Sequence, residues 1–237
     1  MELTASAKCT TFGRMTPHLK PSPAERATGR CYGCLRPLSR CYCHRITPLA
    51  TRTRFAICVH PREYRHQKCG TGRLCGLALS RAELFVGLDF TAHEGLKALL
   101  HDSKLSPWLL YPGDDAVNLS SGAPWVLPPG RELLVVILDG TWTEARKMLR
   151  HSRNLQALPR MAFTPASPSR FSIKRQPHPW CLSTIEAVYE LLGALDASGH
   201  ENMGDARGAL LEILADLVKW QTSWYKPGQR RRSAVSD

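Results

Sequence analysis

Apolar positions along this chain follow two rhythms. Short runs rich in β-branched residues alternate with longer stretches in which apolar residues recur every three or four positions, and this predicts strands alternating with helices. The clearest run is Leu133-Leu-Val-Val-Ile-Leu138, which stops at Asp139-Gly140. Six apolar residues are too few to span a membrane and fit a buried central strand. Thr53 to Val59, Leu84 to Gly87, Pro107 to Tyr111 and Leu158 to Phe163 predict further strands. Helices are expected near 73–80, 93–102 and 183–195, and from Thr141 onward. Arg62 to Gly72 reads as a loop. In Ala206 to Tyr225, Leu210, Ile213, Leu214, Leu217 and Val218 have amphipathic spacing, suited to core packing or to a dimer face. Such alternation implies an α/β fold with a mostly parallel sheet.

The junction after the central run is unusual. Thr141 and Glu144 have the spacing of a capping box, so a helix should start there, with Trp142, Ala145 and Leu149 on one face. Arg146, Arg150 and Arg153, with Lys147 beside them, form a cationic stripe on another face. Asp139 thus stands at a strand's carboxyl end, where open α/β sheets bind ligands. It either closes the turn and caps the helix or takes part in chemistry. Thr141 already offers a cap, and a large Trp142 follows where a small polar residue would serve. Ser183-Thr-Ile-Glu186 repeats the capping-box pattern at another helix start.

Charge adds a partner to this picture. Thirty-two Lys and Arg against twenty Asp and Glu give +12 over 237 residues. Such an excess favours a polyanion, although a basic surface can also serve solubility alone. Nine cysteines, an odd number, and no apolar h-region in Met1 to Lys20 argue against a secreted disulfide framework and for a reducing cytoplasm. No membrane span is expected, and the oligomer is either monomer or homodimer. Cys31-Tyr-Gly-Cys34 followed by Cys41-Tyr-Cys43 places four thiolates within thirteen residues, as a closed, structural zinc site requires. Free thiols or a redox pair are the alternatives, and His44 is a possible substitute for Cys43. Arg30, Arg36, Arg40 and Arg45 with Tyr32 and Tyr42 make this knuckle either a cationic platform for RNA or a fold staple that happens to be basic. Residues 1–30 read as a loose arm, 31–48 as the knuckle, 49–225 as the main folded domain and 226–237 as a disordered basic tail.

Asp139-Gly-Thr-Trp142 resembles the DxTW signature of the DTW-domain family. Five further blocks similar to that family follow its order: His60-Pro-Arg-Glu63, Thr71-Gly-Arg-Leu74, Leu109-Leu-Tyr-Pro-Gly113, Ala157-Leu-Pro-Arg160 and Leu182-Ser-Thr-Ile-Glu-Ala187. Gly70 stands where the family more often has Asn, so backbone rather than an amide side chain is on offer there. The resemblance implies a SPOUT-like fold, with a trefoil knot in the C-terminal part, and S-adenosylmethionine as donor. It implies donor contacts at Thr71, Leu110, Tyr111, Pro112, Thr141, Leu158, Leu182, Ser183 and Thr184. The amides that open the helix at Ser183 would meet the donor's methionine carboxylate.

The implied reaction moves the 3-amino-3-carboxypropyl group to N3 of a uridine in tRNA. Asp139 would act as base, and Trp142 would stack on uracil or order the carboxylate. Arg146, Lys147, Arg150, Arg153, Lys174 and Arg175 would meet RNA phosphates, the last two from a Pro- and Ser-rich stretch, 165–179, which is either a mobile loop over the site or a solvated connection. Transfer to rRNA, methyl transfer, and RNA binding without catalysis are the competing readings. A second metal site built from His60, His66, Cys69 and Cys75 has no standard spacing.

Overall fold

The computed structural model describes residues 10–14, 20–66, 70–122, 125–174 and 176–223. In chain order the elements are β1 (Thr10–Arg14), α1 (Pro23–Thr28), β2 (Arg54–Val59), α2 (Pro61–His66), α3 (Thr71–Ala78), β3 (Ala82–Val86), α4 (Glu94–Leu100) and β4 (Leu105–Leu110). Then follow β5 (Val117–Asn118), β6 (Glu132–Asp139), α5 (Trp142–His151), α6 (Arg153–Gln156), β7 (Arg160–Ala162), α7 (Thr184–Ala197) and α8 (Gly208–Thr222). The strands form one sheet in the order β1-β3-β2-β6-β4-β7-β5, parallel throughout except where β1 lies antiparallel on β3.

Strand alternation sorts the central side chains into two cores. Phe55, Ile57 and Val59 of β2 and Leu133, Val135 and Ile137 of β6 meet buried residues of α3, α7 and α8 on one face. Ala56, Cys58, Leu134 and Val136 meet Leu96, Met148, Leu149 and Leu155 of α4, α5 and α6 on the other. Both faces are covered, which is why β6 is a continuous apolar run rather than an alternating one. Each large side chain buried there contributes about 1.5–3 kcal/mol.

β6 lies between β2 and β4. From β2 the chain first moves outward to β3, then crosses over to β4 on the other side of β6. The carboxyl end of β6 is therefore a topological switch point, where the connections diverge and leave a crevice.

Several elements depart from the sequence expectation. The N-terminal stretch expected to be loose contains β1 and α1, the latter fixed by a capping box between Ser22 and Glu25. The loop expected after His60 begins with α2. The helix after Asp139 does not carry its cationic stripe unbroken to Arg153: it ends at His151, and α6 starts anew. Ser152 is fully buried at the break, and its hydroxyl accepts from the Phe90 amide at 3.0 Å. That anchor draws the backbone out of helical geometry. The expected basic tail, 226–237, lies outside the described residues.

Candidate active site and cysteine cluster

Asp139 ends β6 with 5% of its surface exposed. Its Oδ1 accepts from the Gly72 amide at 3.1 Å, in the first turn of α3, and from the Thr184 hydroxyl at 2.5 Å, at the start of α7. The Thr184 amide in turn donates to Thr71 Oγ1 at 3.2 Å, which locks the two helix starts together. α5 opens three residues beyond Asp139, with the expected reciprocal cap between Thr141 and Glu144. Two helix N-termini thus meet on one carboxylate, with the capped start of α5 next to it in the chain. Gly72 is required for this approach, because a Cβ there would lie 2.5 Å from Oδ2 of Asp139 and nearer still to Cγ.

Burial pushes the Asp139 carboxyl above the ordinary aspartate value, against the Thr184 hydroxyl, the Lys174 charge and the Gly72 amide, which favour the ionised form. Burial likewise raises Glu63, which Lys174 opposes and the charges of Asp139 and Glu144 reinforce. Lys174 Nζ reaches Glu63 Oε1 at 2.9 Å. His60 approaches Glu144 at 3.4 Å, and burial depresses its imidazole despite that carboxylate. Burial also pushes Glu144 upward, but the amide and hydroxyl of Thr141 outweigh it and hold the group below its usual range.

A cavity of about 420 Å³ opens over Asp139. Of the residues the sequence pointed to, Thr71, Leu110, Tyr111, Pro112, Thr141, Trp142, Leu182, Ser183 and Thr184 line it with Asp139. Lys174 lines it too, as a wall residue bonded to Glu63. Leu158 is elsewhere: it packs against the core on the α4–α5 face. Arg146, Lys147 and Arg150 are exposed on α5 and Arg153 on α6, while Arg175 lies outside the described residues. Sequence reasoning overlooked Glu63, Phe171 and Trp180 in the cavity wall. Trp180 had a signal, since a large aromatic in an otherwise polar, Pro-rich loop needs a reason to be there.

Trp142 and Trp180 are 40% and 54% exposed, although large apolar side chains normally hide. Trp142 rests edge-on against Tyr111, ring centres 6.1 Å apart. The 165–179 segment is tethered rather than loose at its start: buried Glu186 accepts from the Arg170 amide at 2.5 Å and the Ser169 hydroxyl at 2.8 Å.

A model of the DTW domain matches residues 28–222. The chain belongs to the DTW domain family. Among its relatives, the tRNA-uridine aminocarboxypropyltransferase 2 of Drosophila melanogaster is 28% identical over 202 residues, 81% of this chain and 74% of that protein. The tRNA-uridine aminocarboxypropyltransferase A of Arabidopsis thaliana is 26% identical over 225 residues, covering 85% and 84%. No solved structure matches the chain. The DTW signature therefore corresponds here to the end of β6 and the start of α5, with Asp139 buried and Trp142 at the cavity.

The second chemical cluster lies away from the cavity lining. The Sγ atoms of Cys31, Cys34, Cys41 and Cys43 are all within 4.8 Å of one another. Cys31 and Cys43 are 3.7 Å apart, and Cys34 and Cys41 3.8 Å. Four thiolates at the usual zinc–sulfur length would stand about 3.8 Å apart on a tetrahedron's edges. The cluster is compatible with zinc. His44 is not among the clustered ligands, and in the group His60, His66, Cys69 and Cys75 the His66 side chain and Cys69 lie outside the described residues.

Proposed function

We propose that this DTW-domain protein transfers the 3-amino-3-carboxypropyl group of S-adenosylmethionine to N3 of a uridine in tRNA. The observation that carries this reading is a buried carboxylate at the sheet's switch point, opening onto a cavity beside which two tryptophans stand exposed. The names of its relatives supply the reaction class.

In the reaction, N3 attacks the γ-carbon of the methionine chain and the γ-carbon–sulfur bond breaks. The bonding pair stays on sulfur, so neutral methylthioadenosine leaves, while Asp139 takes the N3 proton. Both hydrogen bonds to the Asp139 carboxylate fall on Oδ1. Oδ2 is then the atom to receive the proton, and a carboxyl raised by burial is a stronger base than a free aspartate. The sulfonium is already a good leaving group, so alignment is the main task. Held geometry contributes on the order of 7–11 kcal/mol, against roughly 10²- to 10⁴-fold from a placed base. Trp142 and Trp180 offer faces on which an unstacked uracil can rest, a contact worth about 1–3 kcal/mol per base. Arg146, Lys147, Arg150 and Arg153 would guide the RNA backbone, and the donor would lie against Thr71, Leu110 to Pro112, Thr141 and Leu182 to Thr184. Cys31, Cys34, Cys41 and Cys43 would hold a structural zinc, since four protein ligands leave no open position.

Incubation with bulk tRNA and S-adenosylmethionine, followed by nucleoside mass spectrometry, tests the reading. The expected product is 3-(3-amino-3-carboxypropyl)uridine with methylthioadenosine in equal amount. A methyl adduct with S-adenosylhomocysteine would instead show a methyltransferase.

A further inference from the structure

We infer that the Glu63–Lys174 pair is the subsite for the amino-acid end of the donor, Lys174 taking its α-carboxylate and Glu63 its α-ammonium. The inference rests on the proposed function and goes beyond it by assigning the group that distinguishes aminocarboxypropyl transfer from methyl transfer.

Three observations support it. The pair lies in the wall of the cavity that holds Asp139 and is buried at one end only: Glu63 is 7% exposed, while the Lys174 side chain is 40% exposed towards solvent. Lys174 offsets the cost of burying the Glu63 carboxylate, and together they hold two opposite charges fixed at a wall that a ligand can reach. Second, the spacing fits. Nζ and Oε1 are 2.9 Å apart, and standard bond lengths put an ammonium nitrogen and a carboxylate oxygen on one α-carbon about 2.7 Å apart. An α-amino acid zwitterion laid against the pair therefore meets each charge with its opposite.

Third, the charges are complementary. Glu63 and Asp139 bring two carboxylates to the lining against the single ammonium of Lys174. The donor's sulfonium and ammonium exceed its one carboxylate by one positive charge. Pinning the amino-acid end would also fix the γ-carbon between sulfur and the acceptor and turn the methyl group away. Lys174 then takes the carboxylate expected at the start of α7, where the Ser183 and Thr184 amides already donate to Glu186 and Thr71, and the RNA contacts fall to α5 and α6.

Calorimetry on the full chain tests this with S-adenosylmethionine, its decarboxylated analogue, S-adenosylhomocysteine and methylthioadenosine, the last two both neutral at sulfur and differing in the amino-acid end. The wild type should bind S-adenosylhomocysteine at least tenfold more tightly than methylthioadenosine. Lys174→Met should bind the decarboxylated analogue as well as the full donor, and Glu63→Gln should lose most of the preference over methylthioadenosine. In both, methylthioadenosine affinity should stay within about threefold, which also reports an intact fold. If a single variant fails to fold, Glu63→Gln/Lys174→Gln, with no unpaired charge, should show the same loss. Variants that keep the wild-type preference overturn this subsite while leaving the proposed function standing. A wild type that binds neither S-adenosylmethionine nor methylthioadenosine overturns the proposed function itself.

Discussion

Asp139 carries opposing demands. Its burial favours the neutral acid, while Thr184, Gly72 and Lys174 favour the anion. Burial prevails, and the sign of the consequence follows. A carboxyl whose folded value is raised stabilises the fold most at pH below its unfolded value near 3.8, and loses that contribution as pH rises through the raised one. At neutral pH, Asp139→Asn removes the buried charge and keeps an oxygen for both donors. Thermal denaturation at pH 7 should therefore give a Tm at or above the wild type, with product formation down by 10² to 10⁴. A lower Tm with retained turnover would make Asp139 a structural residue. Asp139 was legible in the sequence because it follows the one continuous apolar run and precedes a helix that is already capped. Glu63 was legible only as the end of the His60-Pro-Arg-Glu63 block, since nothing in that block shows that a lysine 111 residues later closes on it.

At the scale of elements, the site is made by helix starts rather than by strands alone. α3 can bring its first turn onto Asp139 only because residue 72 has no side chain. Gly72→Ala should displace the carboxylate and lower kcat at least tenfold while leaving the far-UV circular dichroism unchanged; unaltered kcat would show that the contact is dispensable. The outer face of α5 and α6 carries the exposed bases Arg146, Lys147, Arg150 and Arg153. If these meet phosphates, Arg146→Ala/Arg150→Ala should reduce the slope of log Kd for tRNA against log salt by roughly 1.5. An unchanged slope would place the RNA elsewhere. The strand and helix rhythm was readable because each element keeps one period along its length. The break at Ser152 was not, because a serine in helical surroundings shows its cause only once Phe90 is seen beside it.

Across the whole molecule, the cysteine cluster and the C-terminal helix are parts of one core. Cys31, Cys34 and Cys43 are buried in the same cluster as Leu210, Leu214 and Leu217 of α8. Arg36 is stacked between Tyr42 at 4.0 Å and Trp220 at 3.8 Å, which ties the cysteine segment to the end of that helix. Metal analysis should find one zinc per chain, and Cys34→Ala or chelation should lower Tm and expose α8 to protease. A chain that holds no zinc and keeps its Tm under chelation would reduce the cluster to four packed thiols. The cysteine spacing announced the cluster, but its union with a helix some 180 residues away follows from tertiary packing, which spacing does not encode. The +12 charge and the family resemblance pointed to RNA, whereas the cavity itself is lined with carboxylates suited to a cationic donor.

In the proposed reaction, Asp139 takes a proton from uridine N3 as the aminocarboxypropyl group arrives. Single-turnover reaction of tRNA with S-adenosylmethionine, read by nucleoside mass spectrometry for wild type and Asp139→Asn at matched donor occupancy, tests it most directly. The wild type should give 3-(3-amino-3-carboxypropyl)uridine, and the variant should form it at least a hundredfold more slowly. Equal rates, or methylated uridine from either protein, would contradict it.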